Sequence, residues 1–325
     1  MRQSLLVVGG AVVLLVGAAY QFSRQQPGTK LGLAAAQPLR FRFIAPCVNE
    51  AFFNPVKRGM RDAASMLGVQ CEFVGTEDVD IPAQAALVRQ AVSDGCDGIA
   101  LAIIDPTGFD AVIQDAQSKR VPVIAFNVDD NATPNARLSA VCQDLYKAGR
   151  AAGETAIPLI PAGSKILMTR HSQGISALED RLRGMQEVLG SKGITWEVLT
   201  TGTTPAAAQE AVTRFLQTHP EIRWILCTGL ADTEGAGLAV EKQFQLRGCC
   251  VGGFDLSAEV LRLLKAGIIR FAVDQQPYLQ GFYPVVQLTH YCRYGLKPSN
   301  IDVGAKVLGP QDANTVIEYS RKGYR

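Results

Sequence analysis

Aromatic rings and planar polar groups stand just past a series of short apolar runs. They are Asn49, Glu50, Phe52 and Phe53, then Asp105, Asn127 and Gln143-Asp144, then the stretch from His171 to Arg181 with Glu179 in it, then Asp232, Asp255 and Gln275. Carboxylates and amides pair with hydroxyl groups, and rings cover apolar C–H faces, so the set suits a sugar-like ligand. Each residue also has a plainer reading. Asp105 and Asp255 could cap the helix that follows them. Phe52 or Phe53 could belong to the core of the first helix, although adjacent positions point to different faces. Arg181 could pair with Glu179 or Asp180 on the surface.

Catalytic spacing is missing. There is no G-x-x-x-x-G-K-[ST] phosphate loop and no H-E-x-x-H. Gly235-Ala236-Gly237-Leu238-Ala239-Val240 lacks the third glycine of a dinucleotide loop and falls inside a predicted helix, which reads as helix packing. Ser176 lies in Gly-Ile-Ser-Ala-Leu, without the closing glycine of a nucleophile elbow. His171, His219 and His290 are far apart, and no CxxC pair exists, so neither nucleophilic catalysis nor a zinc site is expected. No cofactor is implied, and the expectation is a binding protein, not an enzyme.

The elements that must position these residues alternate. Short continuous apolar runs mark strands buried on both faces, as in parallel sheets. They are FRFIAP (41–46), CEFVG (71–75), GIALAII (98–104), VPVIAFN (121–127) and RLSAVC (137–142), then KILMTR (165–170), TWEVLT (195–200), WILCTG (224–229), CCVGGFD (249–255) and IRFAVD (269–274). Helical stretches lie between them at Phe53–Leu67, Ala83–Ser93, Thr107–Lys119, Ala177–Leu189, Pro205–Thr218, Glu234–Phe244 and Ser257–Ala266. Gly68, Gly95, Gly193 and Gly267 fall where helices should stop. Two such βα series predict an α/β protein of two doubly wound parallel-sheet lobes, with ligand between the carboxyl ends of their strands.

The 325 residues are 47% apolar and 19% charged, with a net charge of +2, and no long basic run calls for nucleic acid. Met1-Arg2 is followed by an uncharged apolar run, Leu5–Ala19. That run is shorter than the roughly 20 residues of a membrane span and suits a secretory signal. Residues 1–36 are therefore expected to be a signal peptide, or else an uncleaved anchor, and the rest to lie outside the cytoplasm in the periplasm. Eight cysteines occur at irregular spacing, several inside strand-like runs such as VQCEFVG and WILCTG. They read as mostly buried free thiols.

Four segments carry a resemblance: VGGFDLSAEVLRLLKAGIIRFAVDQQPYLQG (251–281), NEAFFNPVKRGM (49–60), SALEDRLRGM (176–185) and ILCTGLADTEGAGLAV (225–240). With them the chain from Phe41 to Asp312 resembles the type I periplasmic binding proteins of the ribose-binding kind, which serve ABC importers and sometimes chemoreceptors. The resemblance implies that Phe52 and Phe53 stack on a sugar ring and that Asp255 and Gln275 bond its hydroxyls. Asp105 and Asn127 fall at two further contact positions, and Glu179, Arg181 and Asp232 lie in matching segments. It also implies a three-strand hinge near Cys142–Asp144, Asp274–Gln276 and Ile301–Asp302. The lobes would then be 37–142 plus 275–301 and 143–274 plus 302–325.

Several positions depart from ribose binders. Asn127-Val128 replaces Asp-Arg, Glu179 stands near an Arg, Glu50 replaces Asn, Ala231 replaces Asn, and Thr203-Thr204 falls near a usual aromatic. These changes point away from ribose and toward an amino sugar or other cationic polyol. Related repressors carry a helix-turn-helix where this chain has its apolar segment. The expectation is a monomeric substrate-binding subunit that closes over a sugar, polyol or amino sugar and meets an ABC permease in the membrane. The alternatives are a sensory receptor for a membrane kinase or chemoreceptor and, remotely, an extracytoplasmic hydrolase.

Overall fold

The computed structural model describes residues 37–105, 107–129 and 135–325. The expected export segment, residues 1–36, lies outside the described residues, as does Pro106. The first series runs β1 (Arg40–Ala45), α1 (Phe53–Leu67), β2 (Gln70–Gly75), α2 (Ile81–Ser93), β3 (Gly98–Leu101), α3 (Asp110–Ser118), β4 (Val123–Asn127) and β5 (Ser139–Cys142). The second runs α4 (Leu145–Ala156), β6 (Lys165–Arg170), α5 (Ser176–Gly190), β7 (Thr195–Thr200), α6 (Pro205–Thr218), β8 (Trp224–Cys227), α7 (Leu230–Ala239), β9 (Cys250–Phe254), α8 (Ala258–Lys265) and β10 (Ile269–Asp274). The chain then returns through α9 (Pro277–Tyr294), β11 (Ile301–Asp302), β12 (Lys306–Leu308) and α10 (Ala313–Arg321).

Two six-stranded sheets result, ordered β11-β5-β4-β3-β1-β2 and β12-β10-β9-β8-β6-β7. The same order recurs in both, so each strand of one sheet has a counterpart in the other: β1 with β6, and β4 with β9. All pairings are parallel except β10–β12. The expected fold class, two parallel-sheet α/β lobes, is what forms. The apolar runs are buried on both faces because helices cover both sides: Phe43, Ile44, Ile99, Leu101, Ile124 and Phe126 fill the first core, and Ile225, Val251, Ile269 and Leu264 the second.

Three crossings link the sheets, at β5–α4, β10–α9 and β11–β12. They are tied to one another. Gln143 Nε2 donates to the Gly304 carbonyl (2.9 Å), the Asp144 N–H to Asp302 Oδ1 (3.3 Å), and Gln276 Nε2 to the Val303 carbonyl.

Glycines let the helices beside the crossings pack closely. A Cβ on Gly281 of α9 would lie 1.9 Å from the Val56 carbonyl oxygen of α1, and one on Gly149 of α4 would lie 2.2 Å from that of Arg181 in α5. Gly235 and Gly237 likewise face Ala208 and Leu263, as expected of helix packing rather than a nucleotide loop.

All ten expected strands form. The helix expected at Thr107 starts later, at Asp110, because Asp105 Oδ1 accepts the Thr107 and Gly108 N–H groups in a turn (3.0 and 2.7 Å). Elements α4, α9, α10 and β12 were not expected, whereas β11 falls at the third crossing that the resemblance implied. Helix α9 carries Pro277, Gly281 and Pro284, which lower intrinsic helicity. All eight cysteines are free thiols, with Cys47, Cys96, Cys142, Cys227 and Cys249 buried and the other three half-buried.

Candidate functional site

Strands β1, β4 and β9 end at a shared cleft, and the backbone turns sharply there. Cys47, Asn127 and Asp255 adopt positive φ (47°, 64° and 69°), as does Gln276 at a crossing (52°). Non-glycine residues in this region cost about 1–3 kcal/mol each and persist where surrounding structure enforces them. The turns end the strand alternation and leave these side chains at the cleft.

The cavity between the lobes measures about 80 Å³, and its lining includes Glu50, Phe52, Phe53, Asn127, Arg181, Asp255 and Gln275. Seven of the eleven expected site residues therefore meet. Apolar side chains of Ile104, Leu145, Ile175, Leu178 and Leu230 complete the wall, together with Cys47 and His171. Ser176 Oγ donates across the cleft to the Ile104 carbonyl (3.1 Å).

The other four are elsewhere. Asn49 is exposed and outside the lining. Asp105 holds the turn ahead of α3 and is outside the lining; it does not cap that helix, whose N-cap is Phe109. Glu179 pairs with Arg170 (2.5 Å). Asp232 is fully buried behind the wall, where its carboxylate accepts from the Thr228 and Gly229 N–H groups (both 2.9 Å) and from Thr169 Oγ1 (2.8 Å). Burial lifts its pKa to about 6 against those hydrogen bonds.

A buried polar chain runs along the cleft floor. Arg181, 3% exposed, donates from Nη1 to the Thr228 carbonyl and from Nη2 to Gln143 Oε1 (both 2.9 Å), and lies over the Phe254 ring at 4.4 Å. It stands 3.8 Å from Asp255 Oδ2. The surface pairing open to it from sequence is excluded by this burial. Gln275 Nε2 donates to Asp255 Oδ1 (2.5 Å), and Gln280 Nε2 to the Gln275 backbone carbonyl (2.9 Å). Asn127 Nδ2 donates to Gln280 Oε1 (3.1 Å). Asp255 does not cap α8, because Ser257 does. Burial outweighs pairing on both ions: the Asp255 pKa is raised and that of Arg181 lowered.

Two titratable groups face the cavity from opposite walls. Burial, then the negative charge of Asp255, pushes Glu50 up to about 7, although the Cys47 thiol bonds to its carboxylate. Burial, then the charge of Arg181, pushes His171 down to about 4. Phe52 is half-buried and meets Phe53 edge-on at 5.1 Å, whereas Phe53 is 4% exposed and packs with Phe73 in the first core. Sequence reasoning missed Gln280, which sits in the first turn of α9 rather than at a strand end, and the apolar wall, which looks like core in one dimension. Among the described residues no group of three or more His, Cys, Asp or Glu side chains could hold a metal ion, and no helix is long and apolar enough to cross a membrane.

A model of the periplasmic binding protein domain matches residues 41–296. The chain belongs to that family. Its members are solute-binding proteins rather than enzymes, which places this one outside the cytoplasm. A xylose/arabinose-binding protein of Sulfolobus acidocaldarius is 29% identical over 312 residues, covering 91% of this chain and 77% of the relative. A periplasmic sugar-binding protein of an ABC sugar transporter from Legionella pneumophila superposes with a TM-score of 0.76 at 28% identity, over 81% of this chain and 98% of that one. A carbohydrate transporter protein from Acidothermus cellulolyticus, in complex with myo-inositol, gives a TM-score of 0.79 at 25% identity, over 89% and 100%.

Proposed function

We propose that this periplasmic binding protein takes a sugar or polyol in the interlobe cleft and delivers it, as a monomer, to the permease of an ABC importer. The observation that carries this reading is the cleft lining: a half-buried aromatic, Phe52, opposite a fixed row of carboxylate, amide and guanidinium groups. A ring surface matches C–H faces and the polar row matches hydroxyls. The sugar and polyol ligands named for the three relatives support it. Glu50, Phe52, Phe53, Asn127, Arg181, Asp255 and Gln275 form the binding set. The lobes are 37–142 plus 275–301 and 143–274 plus 302–325, and they close over the ligand about the three crossings. Residues 1–36 direct export, as a cleaved signal or a retained anchor.

The amino-sugar reading rests on Glu50. With its pKa near 7, that carboxyl is partly protonated at neutral pH and serves a hydroxyl as well as an ammonium, while Arg181 compensates Asp255. A calorimetric panel of aldopentoses, aldohexoses, inositols and amino sugars tests the function. Saturable binding of at least one, weakened about tenfold by Phe52→Ala, is expected. Absence of binding across the panel would overturn it, and tighter binding of neutral members would remove the amino-sugar variant.

A further inference from the structure

A second, larger cavity of about 420 Å³ adjoins the cleft. Phe52 and Asp255 line both, so the two spaces share a wall. The outer cavity has a different chemistry. Arg58 and Arg61 enter it from α1, Arg325 from the far end of the chain, and Ser257 and Ala258 from the first turn of α8.

The charges do not cancel. Arg325 pairs with Asp274, and Arg58 stands 3.5 Å from Asp62 while its guanidinium covers the Tyr324 ring at 4.9 Å. Asp255 faces both cavities but is held by Arg181 and Gln275. Arg61 has no carboxylate partner among the described residues, and it is exposed. Its charge acts on its neighbours: after burial, Arg61 is the second cause that lowers the Lys57 pKa. The α1 first turn carries no acid to offset them. The positive end of α8 adds to the same side, with Glu259 of its first turn paired to Arg262 (2.7 Å). A guanidinium cluster with one unneutralised member, beside a helix N-terminus, is matched by a planar or tetrahedral oxyanion.

We propose that this outer cavity is an oxyanion site flanking the sugar cleft, holding a phosphate- or carboxylate-type group through Arg61, Arg58 and Arg325. The group has two possible sources: a substituent on the sugar bound next door, as in a sugar phosphate or uronic acid, or a free inorganic anion bound beside a neutral sugar. The first source rests on the sugar-binding reading of the cleft, and the second does not.

The test titrates the purified full chain with inorganic phosphate at constant ionic strength, by calorimetry, in the unaltered protein, Arg61→Gln and the distant surface control Lys192→Gln. Saturable phosphate binding is expected, weakened about tenfold by Arg61→Gln and unchanged by Lys192→Gln. Arg61 is exposed and unpaired, so its variant keeps the thermal midpoint of the parent. Aldoses, their phosphate esters and uronic acids form the second arm. A substituent in the site makes the anionic derivatives bind tighter than the parent sugars, an advantage that Arg61→Gln erases. A free anion leaves phosphate and neutral sugar bound together without displacement. Neutral sugar binding with neither phosphate binding nor an anionic advantage overturns this inference alone, as does phosphate binding that Arg61→Gln leaves unchanged. Arg61-dependent phosphate binding without any sugar binding sinks the cleft reading and leaves the oxyanion site standing.

Discussion

Asn127 closes β4, and Asp255 follows β9, its counterpart in the second sheet; both sit at positive φ, yet their surroundings differ. Asn127 is half-buried and reaches one partner, Gln280. Asp255 is buried between Gln275 and Arg181, and Arg181 is itself held by Thr228 and Gln143. On the first lobe's wall Phe52 is half-buried and Glu50 titrates near neutrality, while Phe53 and Gln275 are buried and packed or bonded. The same strand order thus builds a second-lobe wall locked around Asp255 and Arg181 before a ligand arrives, and a first-lobe wall on which Glu50, Phe52 and Asn127 stay available. A buried ion must be paired to stay ionised, and pairing fixes it in place.

The comparison is sharpest at Arg181. Arg181→Met removes the cation that faces buried Asp255 at 3.8 Å, so stability should fall by about 3–5 kcal/mol in urea denaturation. Glu50→Gln on the opposite wall should leave stability at neutral pH intact or raised. Equal losses in the two variants would erase the distinction between the walls.

The glycine crossings give the next largest effect. Gly281→Ala and Gly149→Ala should each cost about 1–3 kcal/mol, because their Cβ atoms meet backbone oxygen. Only Gly149→Ala displaces the backbone of Arg181, so only it should also weaken ligand binding when affinities are compared.

The pH dependence separates the walls more gently. Glu50 titrates near 4.5 unfolded and about 7 folded, so between these values the folded protein holds the extra proton, and stability falls as pH rises through that window. His171 titrates near 6.5 unfolded and about 4 folded, so its contribution is lost as pH falls from 6.5 to 4. The slopes oppose each other, each at most about 1.4 kcal/mol per pH unit. Buried Asp232, raised to about 6, contributes to every profile, so the variants are read against the unaltered protein: the urea midpoint should fall more steeply with rising pH in His171→Gln and less steeply in Glu50→Gln. Parallel profiles in the two variants would contradict the assignment. The smallest effect is on stability in Phe52→Ala, which should lose little there while losing ligand. Phe53→Ala, in the core, should cost about 3–5 kcal/mol.

Much of this was readable in one dimension. Continuous apolar runs such as VPVIAFN and KILMTR located strands because a strand covered on both faces has no polar alternation to disguise it. Polar and aromatic residues at or past the ends of those runs located the seven lining residues, Arg181 from the helix after β6, because strand ends in an open parallel sheet face the cleft. Asn49, Asp105, Glu179 and Asp232 satisfied the same rule and went elsewhere. Asp105 and Asp232 found backbone N–H donors within a few residues, and Glu179 found Arg170 on the neighbouring strand. Helix α9 was hidden by its prolines, and its glycine contact with α1 is visible only once both helices are in place.

The sequence by itself determined the alternation of strands and helices, the absence of catalytic spacing and the residue types available at strand ends, because these depend on local periodicity and chemistry. Tertiary structure alone decided which polar groups are paired, which wall is locked and where unneutralised charge remains. Arg181 shows why. Its neighbours in sequence are Asp180 and Glu179, but burial places it against Asp255, Thr228 and Gln143, and the cost of leaving a buried charge unpaired makes those distant partners the ones that count.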